Sequence, residues 1–347
     1  MKNSIKKLIA LALCALLVFS FAACSGKEDA QTTTDENSTA PVTSTDDKQL
    51  KVGVIQYVSH SSLDNCYKGI EQALEKSGLN YKIDRQIGSN TTADADCSTY
   101  AKNMVAQKYD IIYAIATPAA TSAYAATEGT DIPVIFCAVS DPVKAKLVET
   151  KENPGGLCSG TSDVLDLDAQ VDLIQAMQPD VKSIGILYTT SESNSITQLG
   201  MLKEICSKRG ITVEATGVQN DADIPSAAAA LCSKVDCINN FTDNMVVKNL
   251  SVVLDAAKSA NIPVYGSEVE QVKKGCLAAV SIEYVALGEV TGQMGIDVLK
   301  GADISKMAVK SISEATPVVN TEVLANLKME MPAAYTNAET VSSITAK

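Results

Sequence analysis

From Lys51 onward the chain alternates between two hydrophobic periodicities. Apolar runs suited to buried parallel strands fall at 52–58, 111–116 and 133–139, and a further strand is expected over 81–87. Between them, apolar residues recur at helical spacing. Leu63, Tyr67, Ile70 and Leu74 share one face of a helix that Gly78 ends, and further helices are expected near 94–107 and after Pro118. The loop signal Asn153-Pro-Gly-Gly156 interrupts this series. A second series then predicts a helix near 166–177, strand 184–188, a helix from Asn194, strand 212–218 and an Ala-rich helix near 223–233. It continues with strand 237–241, a helix over 245–260, strands 263–266 and 277–282, and a helix near 285–300. Strands and helices alternating at these lengths imply right-handed βαβ crossovers and parallel sheets, an α/β fold class.

The two series echo each other. Val54-Ile-Gln-Tyr-Val-Ser-His-Ser-Ser62 parallels Ile186-Leu-Tyr-Thr-Thr-Ser-Glu-Ser-Asn194, and Ile115-Ala-Thr-Pro-Ala119 parallels Asn240-Phe-Thr-Asp-Asn244. A length of 347 residues exceeds the usual size of one α/β domain. Both observations point to two similar lobes with a cleft between their strand ends, where open α/β sheets place ligands.

The turns at those strand ends carry the candidate chemistry. Thr117 precedes Pro118 at the first position of a helix, and its hydroxyl with the adjacent N–H groups suits a carboxylate. Ser191, Asn194 and Ser195 offer the same from the second series. Plain helix capping explains these residue types equally well. Asp243 stands where a carboxylate can accept from a ligand ammonium group, or cap the helix that begins near Met245. Asp141 and Glu268 occupy matching turns of neighbouring strands, where a solvated loop acid is the plainer identity. Tyr57, Tyr188 and Tyr284 could wall a pocket, although Tyr at strand ends is commonly packing.

Composition narrows the ligand. A net charge of -12 argues against nucleic acid, since phosphate binding needs a basic face. The arginines are Arg85 and Arg209, neither at a strand's carboxyl end, so a bidentate carboxylate clamp is not expected. The absence of Trp disfavours a sugar platform, and a zwitterion with an apolar side chain fits best. Neither a nucleophile elbow nor a phosphate-binding loop is present, and His60 is the only histidine, so no enzyme, metal site or cofactor is expected. Eight cysteines beyond Cys24 sit mostly inside apolar patterns, without metal-ligand spacing.

The N-terminal segment lies apart from the fold. Lys2, Lys6 and Lys7 precede an apolar stretch from Leu8 to Phe21 that is too short to span a bilayer comfortably, and Phe21-Ala-Ala-Cys24 follows. This resembles a bacterial lipoprotein signal over 1–23, with Cys24 as the lipidated first residue; Phe21 replaces the usual Leu. Residues 24–49 are rich in Ser, Thr and Asp and read as a flexible tether.

Five motifs in order carry a more specific resemblance: Ala114-Ile-Ala-Thr-Pro-Ala-Ala120, Phe136-Cys-Ala-Val-Ser-Asp-Pro142, Asn153-Pro-Gly-Gly156, Ser191-Glu-Ser-Asn-Ser195 and Thr242-Asp-Asn244. Over about 51–331 the chain resembles the ABC-transporter substrate-binding family that includes aromatic amino-acid receptors of the TrpX kind. The resemblance implies a type I periplasmic-binding-protein fold, with two Rossmann-like lobes joined by three crossovers and a ligand cleft that closes on a hinge. Mapped onto this sequence, lobe one would be 50–161 with 284–312, lobe two 162–283 with 313–335, and 336–347 a tail. Ser140 and Thr242, inside two of the motifs, join the candidate ligand residues. The implied partners are a hydrophobic or aromatic L-amino acid and a membrane permease, on the extracytoplasmic face. A sensor docking to a signalling receptor, or a receptor for a nucleoside or sugar, would share the same fold.

Overall fold

The computed structural model describes residues 48–89, 91–312 and 316–343. The signal over 1–23, Cys24 and the tether as far as residue 47 lie outside the described residues. The first series folds as β1 (Leu50–Gln56), α1 (Ser61–Glu75), β2 (Tyr81–Ile87), α2 (Ala93–Ala106), β3 (Ile111–Ile115), α3 (Thr117–Thr127), β4 (Val134–Cys137) and β5 (Cys158–Ser162). Its strands pair in parallel in the order β5-β4-β3-β1-β2. The unbroken apolar run Ile111-Ile-Tyr-Ala-Ile115 is buried throughout and takes the interior. β2, interrupted by Asp84, Arg85 and Gln86, is only partly buried and takes the edge.

The second series gives α4 (Leu167–Met177), β6 (Ser183–Thr189), α5 (Ser193–Lys208), β7 (Thr212–Val218), α6 (Ile224–Cys232), β8 (Cys237–Asn239), α7 (Asn244–Lys248), α8 (Leu250–Ala260), β9 (Val264–Tyr265), α9 (Val269–Lys273) and β10 (Ala278–Ser281). Strands β7-β6-β8-β9 form a parallel sheet. Bonds from Leu277 N to Val264 O (2.7 Å) and from Gly266 N to Ala278 O (2.9 Å) continue it to β10.

The remaining elements are α10 (Tyr284–Leu299), β11 (Lys310–Ser311), β12 (Thr316–Asn320), α11 (Thr321–Asn326) and β13 (Glu339–Val341). α10 returns to the first lobe and packs on α1 backbone to backbone. A Cβ added at Gly69 would lie 2.1 Å from Val285 O, and one at Gly288 2.1 Å from Cys66 O, so both positions need glycine. β11 extends the first sheet beside β5, while β12 pairs antiparallel with β10 and parallel with β13 in the second. The chain thus passes between the sheets after β5, after β10 and between β11 and β12. This is the two-lobed type I periplasmic-binding-protein architecture. One core fills the first lobe, and two flank the second sheet. Cys66, Cys97, Cys137, Cys158, Cys206, Cys232, Cys237 and Cys276 are all buried free thiols.

Three features differ from the pattern in the sequence. The helix expected over 245–260 is two helices broken at Asn249, whose side chain bonds Met245 O (2.9 Å) and Asp221 (3.2 Å). Strands β5, β11, β12 and β13 and helices α9 and α11 carry no clear sequence signal. Within the segment 336–347, read as a tail, residues 339–341 form β13.

Candidate functional site

The carboxyl ends of the two sets of strands face each other around a small cavity. The first lobe contributes His60, Ser62 and Leu63 from the start of α1, Ala116 and Thr117 between β3 and α3, and Ala138 and Ser140 beyond β4. The second contributes Asn194, Thr242, Asn244, Val247 and Gln271, while Asp163 and Tyr284 come from the crossover segments. Ala116 and Ala138 hold φ at 81° and 56°, the left-handed region that is costly for alanine. Both lie where the chain turns out of a central strand into the cavity wall.

Helices α1, α3 and α5 begin at this wall without a side-chain cap. By contrast α4, α7, α9 and α10 are capped by Asp166, Asp243, Glu268 and Glu283. Uncapped helix starts present N–H groups and partial positive charge, and they suit an anion. Among the described residues, no lysine or arginine lines the cavity. Arg85 lies along β2, bonded to Asp64 and Gln56 (both 2.6 Å) and stacked over Tyr67, while Arg209 ends α5 and pairs with Asp168 and Asp172.

One carboxylate stands in the wall. Asp163 is buried in the first crossover, accepting from Ser140 Oγ and Tyr284 OH (both 3.0 Å), and burial pushes its carboxyl up to about 6. Asn194 donates through Nδ2 to Glu192 (3.1 Å), and its buried Oδ1 has no partner. Gln198 Nε2 donates across the lobes to Ser140 Oγ (3.1 Å) and within its own lobe to Thr242 Oγ1 (2.9 Å). His60 Nε2 meets Asn244 Oδ1 across the lobes at 3.3 Å. Behind the wall, Glu192 accepts from the N–H groups of Asn244 (3.1 Å) and Met245 (3.3 Å), and burial beside Asp243 pushes it up to about 8. Burial pushes Glu268 up to about 7, against the N–H of Glu270 and the Ser62 hydroxyl from the opposite lobe.

Of the residues singled out in the sequence, the structure brings Thr117, Ser140, Asn194, Thr242 and Tyr284 to the cavity. Pro118 sits in the first turn of α3, half-buried and off the wall. Asp141 faces a neighbouring groove, where it accepts from Lys144 N (3.0 Å) and pairs with the Lys144 ammonium (3.6 Å). Ser191 is exposed. Asp243 is fully engaged inside the second lobe: it accepts from Thr189 N (2.6 Å), Thr189 Oγ1 (2.7 Å), Ser195 Oγ (2.7 Å) and Val246 N (3.0 Å). Ser195 is therefore turned to Asp243, and Glu268 to the start of α9. Tyr57 is buried off the wall, its phenol pushed up by burial and by Glu192, and Tyr188 packs against the second lobe's core. The residues not singled out are His60, Ser62, Leu63, Asp163, Asn244, Val247 and Gln271. His60, Ser62 and Asn244 lie within strand-end turns that the sequence does mark, whereas Asp163 follows a strand with no apolar signal.

Two lobes enclosing a cavity of helix starts, hydroxyls and one acid define a solute receptor. The chain belongs to the ABC transporter substrate binding protein family, whose model matches residues 51–340. It is 36% identical over 330 residues to a tyrosine-binding protein of Clostridioides difficile, covering 94% of this chain and 93% of that one. An ABC domain in complex with L-Trp from Streptococcus pneumoniae matches at 36% identity and a TM-score of 0.81, over 85% of this chain and 100% of that one. A ligand-free, open substrate-binding protein with adhesive properties from Clostridium difficile matches at 37% identity over the same shares of the chains, with a TM-score of 0.65. The bonds from His60 and Gln198 across the lobes make the present arrangement closed.

Proposed function

We propose that this receptor captures an aromatic L-amino acid and presents it to a membrane permease, while a lipid on Cys24 holds it at the extracytoplasmic face. The carrying observation is the cavity's charge pattern: among the described residues Asp163 is its lining acid, three uncapped helix starts are its positive edges, and no basic side chain intrudes. A ligand ammonium pairs with Asp163, and a ligand carboxylate rests on the α1 and α3 starts with Thr117. Leu63, Ala116, Ala138 and Val247 supply an apolar surface for the side chain. Relatives that take tyrosine and L-Trp support the aromatic class.

A thermal-shift panel of the twenty amino acids, common sugars and nucleosides tests the ligand. Ligand at a hundred times its dissociation constant adds about 2.7 kcal/mol to stability, so an aromatic amino acid is expected to raise the melting temperature visibly. Stabilisation by a sugar or nucleoside alone would overturn the assignment. The anchor follows from Lys2, Lys6, Lys7, the apolar stretch and Phe21-Ala-Ala-Cys24. Cys24→Ser is expected to release the protein from membranes or leave it unprocessed, and unchanged fractionation with membranes would refute lipidation.

A further inference from the structure

His60 stands at the cavity wall with one ring nitrogen engaged and the other free. Its Nε2 lies 3.3 Å from Asn244 Oδ1. Asn244 Nδ2 donates to Glu192 Oε2 at 2.6 Å, which places the amide oxygen towards His60. The atom offered to His60 is therefore a carbonyl oxygen, which only accepts, and His60 Nε2 carries the ring proton. That leaves Nδ1 as an acceptor, buried without a hydrogen-bond partner in a residue 9% exposed. Burial pushes the ring down to about 4, so it is neutral near pH 7 and Nδ1 stays unprotonated. A buried acceptor normally has a partner, and His60 lines the ligand cavity.

The hydrogen bonds divide the wall into two ends. Ser140, Asp163 and Tyr284 are bonded to one another at the acid end, where a ligand's positive charge belongs. His60 and Asn244 form the other end. Leu63 and Val247, three residues further on in each case, add aliphatic surface to the cavity.

We propose that His60 determines side-chain specificity: its Nδ1 accepts from a donor on the ligand's aromatic ring, which Leu63 and Val247 enclose. The inference rests on the amino-acid reading above and narrows it. A phenol or an indole N–H satisfies His60, and a phenyl ring leaves it bare.

The test is isothermal titration of the full chain with L-tyrosine, L-tryptophan and L-phenylalanine. Phenylalanine is expected to bind roughly tenfold or more weakly than the better of the other two, the effect of one unmet buried acceptor. In His60→Leu that ratio should collapse towards one. Equal affinity of the unaltered protein for all three, or a ratio that survives in the variant, overturns the role of His60 while the amino-acid reading stands. Binding of none of the three sinks that reading and the inference with it. The comparison among ligands uses the unaltered protein, so it remains decisive even if the variant fails to fold.

Discussion

Two aspartates illustrate how position decides role at the scale of single residues. Asp243 has four donors within its own lobe and caps α7, so its carboxylate is a structural hub. Asp163 has two hydroxyl donors and a face on the cavity. Asp163→Ala is therefore expected to weaken amino-acid binding by about 2–5 kcal/mol, at least roughly thirtyfold. The pH dependence has a definite sign. An ammonium partner needs the ionised carboxylate, and in the empty cavity Asp163 titrates at about 6. Affinity should thus fall as pH drops below about 6, where a proton competes with the ligand, and Asp163→Asn should remove that component. Calorimetric titration across pH measures both, and an Asp163→Ala variant with wild-type affinity would place the ammonium elsewhere. The sequence shows that strand-end turns hold acids and hydroxyls, as with Thr117, Ser140, Asn194 and Thr242. It does not show which acid is neutralised by its own lobe, because that depends on donors such as Thr189 and Val246 brought together only by folding.

At the scale of elements, legibility follows the source of each strand's or helix's stability. β1, β3, β4 and β6 are apolar runs buried in sheet interiors, and their pattern alone announces them. β5 is Cys-Ser-Gly-Thr-Ser, with nothing in it that reads as a core strand. Its hydroxyls are instead satisfied by particular neighbours: Ser159 by Met307 O (2.5 Å), Thr161 by Thr291 (2.7 Å) and Ser162 by Val139 O (2.7 Å). Such a strand is stabilised by tertiary hydrogen bonding rather than by its own hydrophobicity, and a local pattern does not reveal it. Asp163 follows directly from β5, so the missed strand and the missed acid have one cause. The break between α7 and α8 has the same origin. Asn249 bonds backward to Met245 O and sideways to Asp221, a contact that the helical spacing of 245–260 leaves invisible.

At the scale of the whole molecule, the question is what holds the lobes together. The direct cross-lobe hydrogen bonds described above are His60 to Asn244 (3.3 Å), Gln198 to Ser140 (3.1 Å) and the Ser62 hydroxyl to Glu268. Each of the first two, between neutral groups, contributes on the order of 0.5–1.5 kcal/mol net, little against the freedom gained by opening a three-stranded hinge. Closing without ligand also buries Asp163, Asn194 Oδ1 and His60 Nδ1 incompletely satisfied, which opposes the closed state. The proposed ligand offsets these costs: its ammonium neutralises Asp163, its ring donor meets His60 Nδ1, and its carboxylate rests on the α1 and α3 starts. Ligand and closure are therefore linked, and the empty protein should rest open. Small-angle scattering of the full chain is expected to show a larger radius of gyration without ligand and a smaller one at saturation. An identical radius in both conditions would mean that the lobes are closed before the ligand arrives, and that capture depends on something other than the hinge.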